Sequence, residues 1–294
     1  MEQSPWIVVR RVIRSVTRSF AKLPRCIFSD AQIATFYFWG TLHERPMTWA
    51  INPVNYNRSF RPRKIPSISQ LNRRIASDRF QRILQKVHER LAGDSRYKGL
   101  ILDGHALCVG ASSQDRDARP GHAPGGMARG YKLHALATSD GNIPVFAVYP
   151  LNKHEMPVAR EMLWALKHDL DGTLVMADTN YDAHELSKDV ARRGGFLITP
   201  PRGMATHPVT RKQMGAARRT MIDLWQQARP TMDAVYKARA GIERIFGNMG
   251  VTPGLLDRLP KFVRSLSRVR RYVGVKICLY HAHRIAKELS TTEV

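Results

Sequence analysis

Five short apolar runs between residues 99 and 199 constrain the fold more than any other feature of this sequence. Each is four to eight residues long and is bounded by polar or turn-forming residues, a pattern typical of buried strands. The second and third are joined by Ser139-Asp140-Gly141-Asn142, and Asp-Gly between apolar runs is a strong hairpin signal. The runs are Gly99–Leu102, Tyr131–Thr138, Ile143–Tyr149, Thr173–Ala177 and Phe196–Thr199.

Helical patterns at 156–166 and 181–193 separate the later runs. A hairpin followed by strand, helix and strand predicts an α/β fold, a mixed sheet flanked by helices on both faces. Two basic stretches interrupt this order. Residues 112–130, rich in Pro, Gly and Arg, predict a mobile loop, and 201–230 predict an irregular insertion before the last helices.

Residues 1–92 have a different character, because apolar residues recur at helical spacing without strand-like runs. Ser29 is the expected N-cap of a helix over 30–42, and another helix is expected to start after Ser67. We therefore predict two domains. Residues 1–92 form an all-helical, DNA-associating region, and residues 93–294 form the domain that contains the sheet.

The charge of the chain indicates a polyanionic partner. Forty-seven Lys and Arg residues against 24 Asp and Glu give a net charge of +23, as expected of nucleic-acid binding, although basic ribosomal and membrane-surface proteins share this balance. Residues 6–23 are rich in Arg and free of acids. This composition resembles a transit peptide, and it also fits a basic helix that contacts DNA phosphates through Arg10, Arg14 and Arg18.

The cysteines and the apolar runs exclude several classes of protein. Cys26, Cys108 and Cys278 have no CxxC spacing, so they predict neither a disulfide framework nor a zinc site, and they fit a reducing cytoplasm. No apolar run reaches the ~18 residues that indicate a membrane span, so no membrane partner is expected.

Three carboxylates are placed where a metal site needs them. Asp103 and Asp178 follow the first and fourth apolar runs, so both are expected at strand ends. Glu243 belongs to the pattern Tyr236-x-x-Arg239-x-x-x-Glu243, whose members share one face of a helix. Alone, this pattern would indicate a solvated Arg-Glu pair. Together, the three carboxylates are oxygen ligands that suit two Mg²⁺ ions about 3.5–4 Å apart, with Mn²⁺ able to substitute.

These residues resemble the bacterial insertion-sequence DDE transposases, whose catalytic domain is ribonuclease H-like. The resemblance covers about residues 31–289, and the Tyr-x-x-Arg-x-x-x-Glu element is its most specific part. The other matching segments are Asp103 after a strand, Gly130-Tyr131-Lys132-Leu133-His134, and Asp178 followed by Asn180-Tyr181-Asp182.

The resemblance implies a role for each matching residue. Asp103, Asp178 and Glu243 would be the metal ligands, while Tyr236 and Arg239 would help to position the transposon end. It also implies that metal-activated water nicks the DNA and that the freed 3′-hydroxyl attacks target DNA. The implied partners are transposon-end DNA and target DNA, bound by a homodimer at the nucleoid of the bacterial cytoplasm.

The sequence leaves the roles of several residues, and two alternative functions, open. The family usually has a Lys seven residues after the Glu, where this chain has Gly250, and Arg244 or Arg258 could make the terminal-phosphate contact instead. Lys132 fits either a phosphate contact or an exposed strand lysine. His134 is expected to be satisfied by the backbone. Two other functions fit the same residues: a metal-dependent nuclease without strand transfer, and a catalytically decayed transposase that only binds DNA.

Overall fold

The computed structural model describes residues 4–94, 96–110, 112–203, 212, 214–251, 256 and 259–292. The chain divides into two compact units. We call Met1–Asp94 together with Met249–Val294 the helical unit, and Ser95–Asn248 the sheet unit.

Most helices in the first part of the helical unit begin at a serine whose side chain caps the first turn. Ser29 and Ser67 each accept a hydrogen bond from the backbone N–H of the third helical residue, and the side-chain oxygen of the glutamine at that position accepts one from the serine N–H. The N-cap predicted at Ser29 is therefore confirmed. The helices are α1 (Pro5–Arg18), α2 (Asp30–Leu42), α3 (Met47–Ala50), α4 (Ile68–Ile75) and α5 (Asp78–Ala92), with a 3₁₀ turn at Pro53–Asn55.

The sheet unit is built on a six-stranded mixed sheet. Its strands are β1 (Gly99–Cys108), β2 (Arg119–Ala123), β3 (Gly126–Thr138), β4 (Val145–Pro150), β5 (Leu174–Ala177) and β6 (Phe196–Ile198). Its helices are α6 (Glu155–Ala165), α7 (His184–Arg192), α8 (Ala216–Gln227), α9 (Arg229–Tyr236) and α10 (Ala240–Val251), with 3₁₀ turns at Thr179–Tyr181 and Lys237–Arg239.

The strand β1 lies at the centre of this sheet. It is antiparallel to β3 and parallel to β5, while β3 is also antiparallel to β4 and β5 is parallel to β6. The resulting order β4-β3-β1-β5-β6, with β2 paired to the first residues of β3, is a ribonuclease H-like sheet. The predicted fold class is confirmed.

Helices cover both faces of the sheet. Because successive side chains of β1 point to opposite sides, neighbouring residues of this strand contact different helices. Leu100 and Leu102 belong to one buried cluster with residues of α6 and α7, including Val158 and Leu186. On the other face Ile101 lies under α10, where a Cβ added to Gly241 would be 3.5 Å from its Cδ1.

Two predictions about this sheet are wrong. The expected loop at 112–130 contains β2 and the start of β3, joined by a tight turn in which Gly125 and Gly126 have φ of 92° and 119°. A strand forms here without an apolar pattern because β3 supplies its backbone partners. The first strand also continues to Cys108, so Asp103 lies within β1 rather than at its end, and Cys108 is exposed.

The predicted insertion at 201–230 is also partly wrong. Residues 204–211 and 213 lie outside the described part of the chain. Beyond them, however, Ala216–Gln227 and Arg229–Tyr236 are regular helices rather than irregular chain. Ile222 and Trp225, three residues apart on α8, are both buried, which gives this basic segment an apolar side.

The helix α11 (Leu266–Thr292) belongs to the helical unit, whereas the sequence predicted it in the domain that contains the sheet. It packs on α1, α2 and α5, and all of its residues from Arg271 to Ala282 are buried. The predicted division at 93–294 is therefore corrected, because α11 completes the core of the helical unit. None of the helices in the described ranges combines the length and apolar content that a membrane span requires.

Candidate active site

Asp103 and Asp178 come next to each other through strand register. In the parallel pair of β1 and β5, Leu102 lies opposite Ala177. Asp103 follows Leu102 within β1, and Asp178 follows Ala177, the last residue of β5. Asp178 also caps the following 3₁₀ turn, its Oδ1 accepting from the N–H of Asn180 at 2.8 Å. The two carboxylates are thus held side by side at the edge where β5 ends.

The environment of Asp103 disfavours its charge. Burial raises the pKa of Asp103, and the carboxylates of Asp178 and Glu155 raise it further. Two contacts oppose this rise: the Gly104 N–H donates to Asp103 Oδ1 at 2.7 Å, and the Arg239 guanidinium lies beside Oδ2. Asp103 is therefore a partly buried carboxyl crowded by like charges, an arrangement common at functional sites.

Arg239 connects the Tyr-x-x-Arg-x-x-x-Glu pattern to the sheet. Its Nη2 donates to Asp103 Oδ2 at 2.9 Å, and its Nη1 lies 3.7 Å from Glu243 Oε1. The pattern does not lie on one continuous helix, since Tyr236 ends α9, Arg239 ends a 3₁₀ turn and Glu243 is in the first turn of α10. Burial raises the pKa of the Tyr236 hydroxyl, while Arg239 lowers it.

Glu243 is the member of the predicted triad that stands apart. Its side chain is 68% exposed, and its contact with the site runs through Arg239. Among the residues that the structure describes, no three His, Cys, Asp or Glu side chains are close enough to hold a metal ion. The structure thus brings together Asp103, Asp178 and Arg239, with Glu243 at the rim.

Lys132 forms an ion pair with a residue that was not among the predicted site residues. Its Nζ forms an ion pair with Glu155, the first residue of α6. Gly104 leaves room for this contact, because a Cβ there would lie 2.6 Å from Lys132 Cε. Lys132 is therefore neither exposed nor unpartnered. An acidic residue in the first turn of a helix stabilises that helix, so no sequence pattern distinguishes Glu155 as a site residue.

Tyr181 faces the same group of carboxylates. It is buried, and its hydroxyl has no hydrogen-bond partner among the described residues. Burial raises the pKa of this hydroxyl well above its ordinary value, and Glu155, Asp103 and Asp178 raise it further. The phenol therefore stays protonated and can donate a hydrogen bond to an acceptor that enters the site.

The family can be assigned once this geometry is known. The family profile described as "Transposase DDE domain" matches residues 94–280, which is more than half of the chain. The chain belongs to this transposase family. No curated protein sequence matches it significantly. Its structure is similar to the cryo-EM structure of a piggyBac transposase synaptic complex with hairpin DNA, at 10% identity and a TM-score of 0.46, over 97% of this chain and 76% of that one.

The remaining polar residues of this DDE transposase domain lie outside the carboxylate group, and Asp182 among them is structural. Asp182 accepts hydrogen bonds from Arg218 at 2.8 Å and from the Arg202 N–H at 3.0 Å, which ties β6 and α8 to the turn after β5. His134 was expected to be satisfied by the backbone, but neither of its ring nitrogens has a partner among the described residues. Arg244 is exposed on α10, and Arg258 lies outside the described residues.

Proposed function

We propose that this chain is a DNA transposase that cleaves transposon ends and joins the freed 3′-hydroxyl to target DNA. The observation that supports this function best is the register of β1 and β5, which places Asp103 beside Asp178 with Arg239 on Asp103. The family assignment gives the reaction class, and the net charge of +23 gives the affinity for a polyanion.

The donor set fits a hard divalent cation. Asp103 and Asp178 offer carboxylate oxygens, and the repulsion that raises the pKa of Asp103 is a cost that a cation would offset. Asp103, Asp178 and Glu243 would hold two Mg²⁺ ions, or Mn²⁺ in their place, once the Glu243 side chain has moved in from the rim of the site. When bound, such ions activate water and stabilise the charge on the leaving oxygen.

Arg239 has a second part in this proposal. Its guanidinium now neutralises Asp103 and lies near Glu243. A DNA phosphate would compete with Asp103 for this guanidinium, because its planar set of N–H donors matches the oxygen spacing of phosphate as well as that of carboxylate. Arrival of DNA would thus draw Arg239 away and free both carboxylates. Tyr236, next to Arg239, would contact the same strand.

The remaining DNA contacts are assigned by charge. Arg244 is exposed one residue after Glu243 and would contact a phosphate, in a segment where Gly250 replaces the family's usual Lys. Lys132 would bind a phosphate only by leaving Glu155. Transposon-end and target DNA are the proposed partners, bound by a homodimer at the bacterial nucleoid, because two ends must be joined in one complex.

The test uses DNA that flanks the coding region. Duplexes ending in this sequence, with a free 3′-hydroxyl, are mixed with the full chain, Mg²⁺ and a plasmid target. Asp103→Asn, Asp178→Asn and Glu243→Gln should each lower joining at least about a hundredfold. Binding to the same duplex should change little, since Arg and Lys contacts with phosphates supply the affinity. Asp140→Asn, in the turn between β3 and β4, is the matched control.

The outcomes separate the competing functions. Cleavage without joined product would support the nuclease, and DNA binding without either reaction would support a decayed transposase. Joining by Asp103→Asn at the wild-type rate would remove Asp103 from the chemistry. Binding to any duplex should weaken with salt, with a log-log slope of about −0.9 for each neutralised phosphate.

A further inference from the structure

A cavity of about 310 Å³ lies within the helical unit, between α2, α4 and the start of α11. This volume is at the small end of the range for ligand pockets, about 300–1,000 Å³. Its walls are mostly apolar and include Met47, Ile68 and Phe262. A few polar side chains interrupt these walls, and two of them define what the cavity can hold.

Arg271 lines this cavity as a buried cation without a carboxylate partner among the described residues. It is 8% exposed, and its Nε has no hydrogen-bond partner among the described residues. Its guanidinium forms a hydrogen bond with the Tyr37 hydroxyl, but burial raises the pKa of Tyr37 to about 12. Tyr37 is therefore neutral and does not compensate the charge of Arg271. A buried charge of this kind is costly unless it is paired.

Other cations of the same unit show that this is unusual. Lys276, one helical turn later on α11, is paired with Glu44 at 2.8 Å. Arg74 and Arg79 share the carboxylate of Asp30. In the described ranges no carboxylate forms an ion pair with Arg271.

Thr41 adds a second polar group on the cavity wall. It is 1% exposed, and its Oγ1 also has no hydrogen-bond partner among the described residues. Arg268 lies on the cavity wall as well but is exposed, one turn before Arg271. The cavity therefore offers a buried guanidinium, a buried hydroxyl and a second cation open to solvent.

We infer that this cavity binds a small organic anion, a carboxylate or phosphate group bonded to an apolar body. Arg271 would donate to the anionic group and be neutralised by it, with Arg268 adding a second donor from the open side. The Thr41 hydroxyl would donate from α2, and the apolar walls would contact the body of the ligand. This inference concerns the helical unit alone and does not depend on the proposed reaction.

The test compares four probes on the full chain by calorimetric titration and thermal unfolding. Benzoate and phenyl phosphate carry both features, inorganic phosphate has only the anion, and benzamide has only the body. Benzoate, phenyl phosphate or both should bind and raise the Tm. Inorganic phosphate should bind at least about tenfold more weakly, and benzamide should not bind detectably.

Variants then assign the binding to the cavity. Arg271→Met should weaken binding at least about tenfold, and Thr41→Val should weaken it a few-fold. Arg270→Met, at an exposed neighbour that does not line the cavity, should leave it unchanged. If Arg271→Met does not fold, Thr41→Val carries the comparison.

Three results would overturn the inference. One is that no anionic probe binds, and another is equal affinity of the wild type, Arg271→Met and Thr41→Val. The third is that duplex DNA, titrated as an additional probe, binds and loses affinity in Arg271→Met while no small anion binds, which would make Arg271 a contact to the DNA phosphate backbone.

Discussion

Replacing His134 with leucine should remove a loss of stability that the protein otherwise shows on mild acidification. His134 lies within β3, between Gly104 of β1 and Ala147 of β4, and is fully buried. Burial and, to a smaller extent, the nearby Lys132 charge together lower its pKa from 6.5 to about 4. The folded protein therefore holds a neutral imidazole, while the unfolded chain takes up a proton below about pH 6.5.

The sign and size of the effect follow from this difference. Between the two pKa values the unfolded state binds more protons, so stability is complete above pH 6.5 and is lost as pH falls towards 4. Linkage with these two values gives a loss of about 2 kcal/mol between pH 7 and pH 4.5, and about 3 kcal/mol at lower pH. Leucine has a similar volume and no nitrogens to leave unpaired, so His134→Leu should be near neutral or stabilising at pH 7.

The assay is urea unfolding of the wild type and the variant at intervals from pH 7.5 to 4.5. The difference in unfolding free energy between them should grow by about 2 kcal/mol as pH falls, because all other titrating groups are shared. His122→Gln, at an exposed histidine on β2, should follow the wild type at every pH. A constant difference between wild type and His134→Leu would refute the reasoning, since it would mean that the imidazole is charged or solvated in the folded state.

Three further outcomes can be measured on the same protein. Glu44→Gln should cost about 3 kcal/mol of unfolding free energy, because it removes the carboxylate that forms an ion pair with the buried Lys276 ammonium. The double variant with Lys276→Met should recover most of this loss, and an unchanged midpoint in urea for the single variant would contradict the prediction. Arg239→Gln should raise the pKa of Asp103 further, as followed by carbon NMR of its carboxyl, whereas a fall would show that Arg239 does not act on it. Tyr181→Phe should leave stability nearly unchanged while lowering joining activity, and a large stability loss would show that the hydroxyl is structural.

The sequence predicted those parts of the fold that depend on apolar runs and local turn chemistry. The β3–β4 hairpin, the parallel pair that positions Asp178, and the Ser29 cap all have such signals. It did not predict β2, because Arg119–Ala123 has no apolar alternation and is a strand only through its pairing with β3. Strand register, which no local pattern reports, decides such cases.

The same distinction holds at the site. Asp103 and Asp178 could be paired from the sequence because carboxylates after parallel strands converge. The contact between Arg239 and Asp103 joins residues 136 positions apart, so helical spacing could not reveal it. The 3₁₀ turn at Lys237–Arg239 interrupts the single helical face that the spacing predicted, and Glu243 beyond it is 68% exposed. Glu155 could not be predicted as a site residue, because an acidic residue in the first turn of a helix is already explained by helix stabilisation.

The packing of α11 has a consequence for biosynthesis. Because α11 begins only at Leu266 and completes the core around α1, α2 and α5, those helices leave the ribosome long before their partner exists. The sheet unit, encoded between them, has its own core and can fold in the meantime. A nascent chain, or a copy of the gene with an early stop codon, would thus expose apolar side chains such as Val9 and Ile13 until quality control removes it.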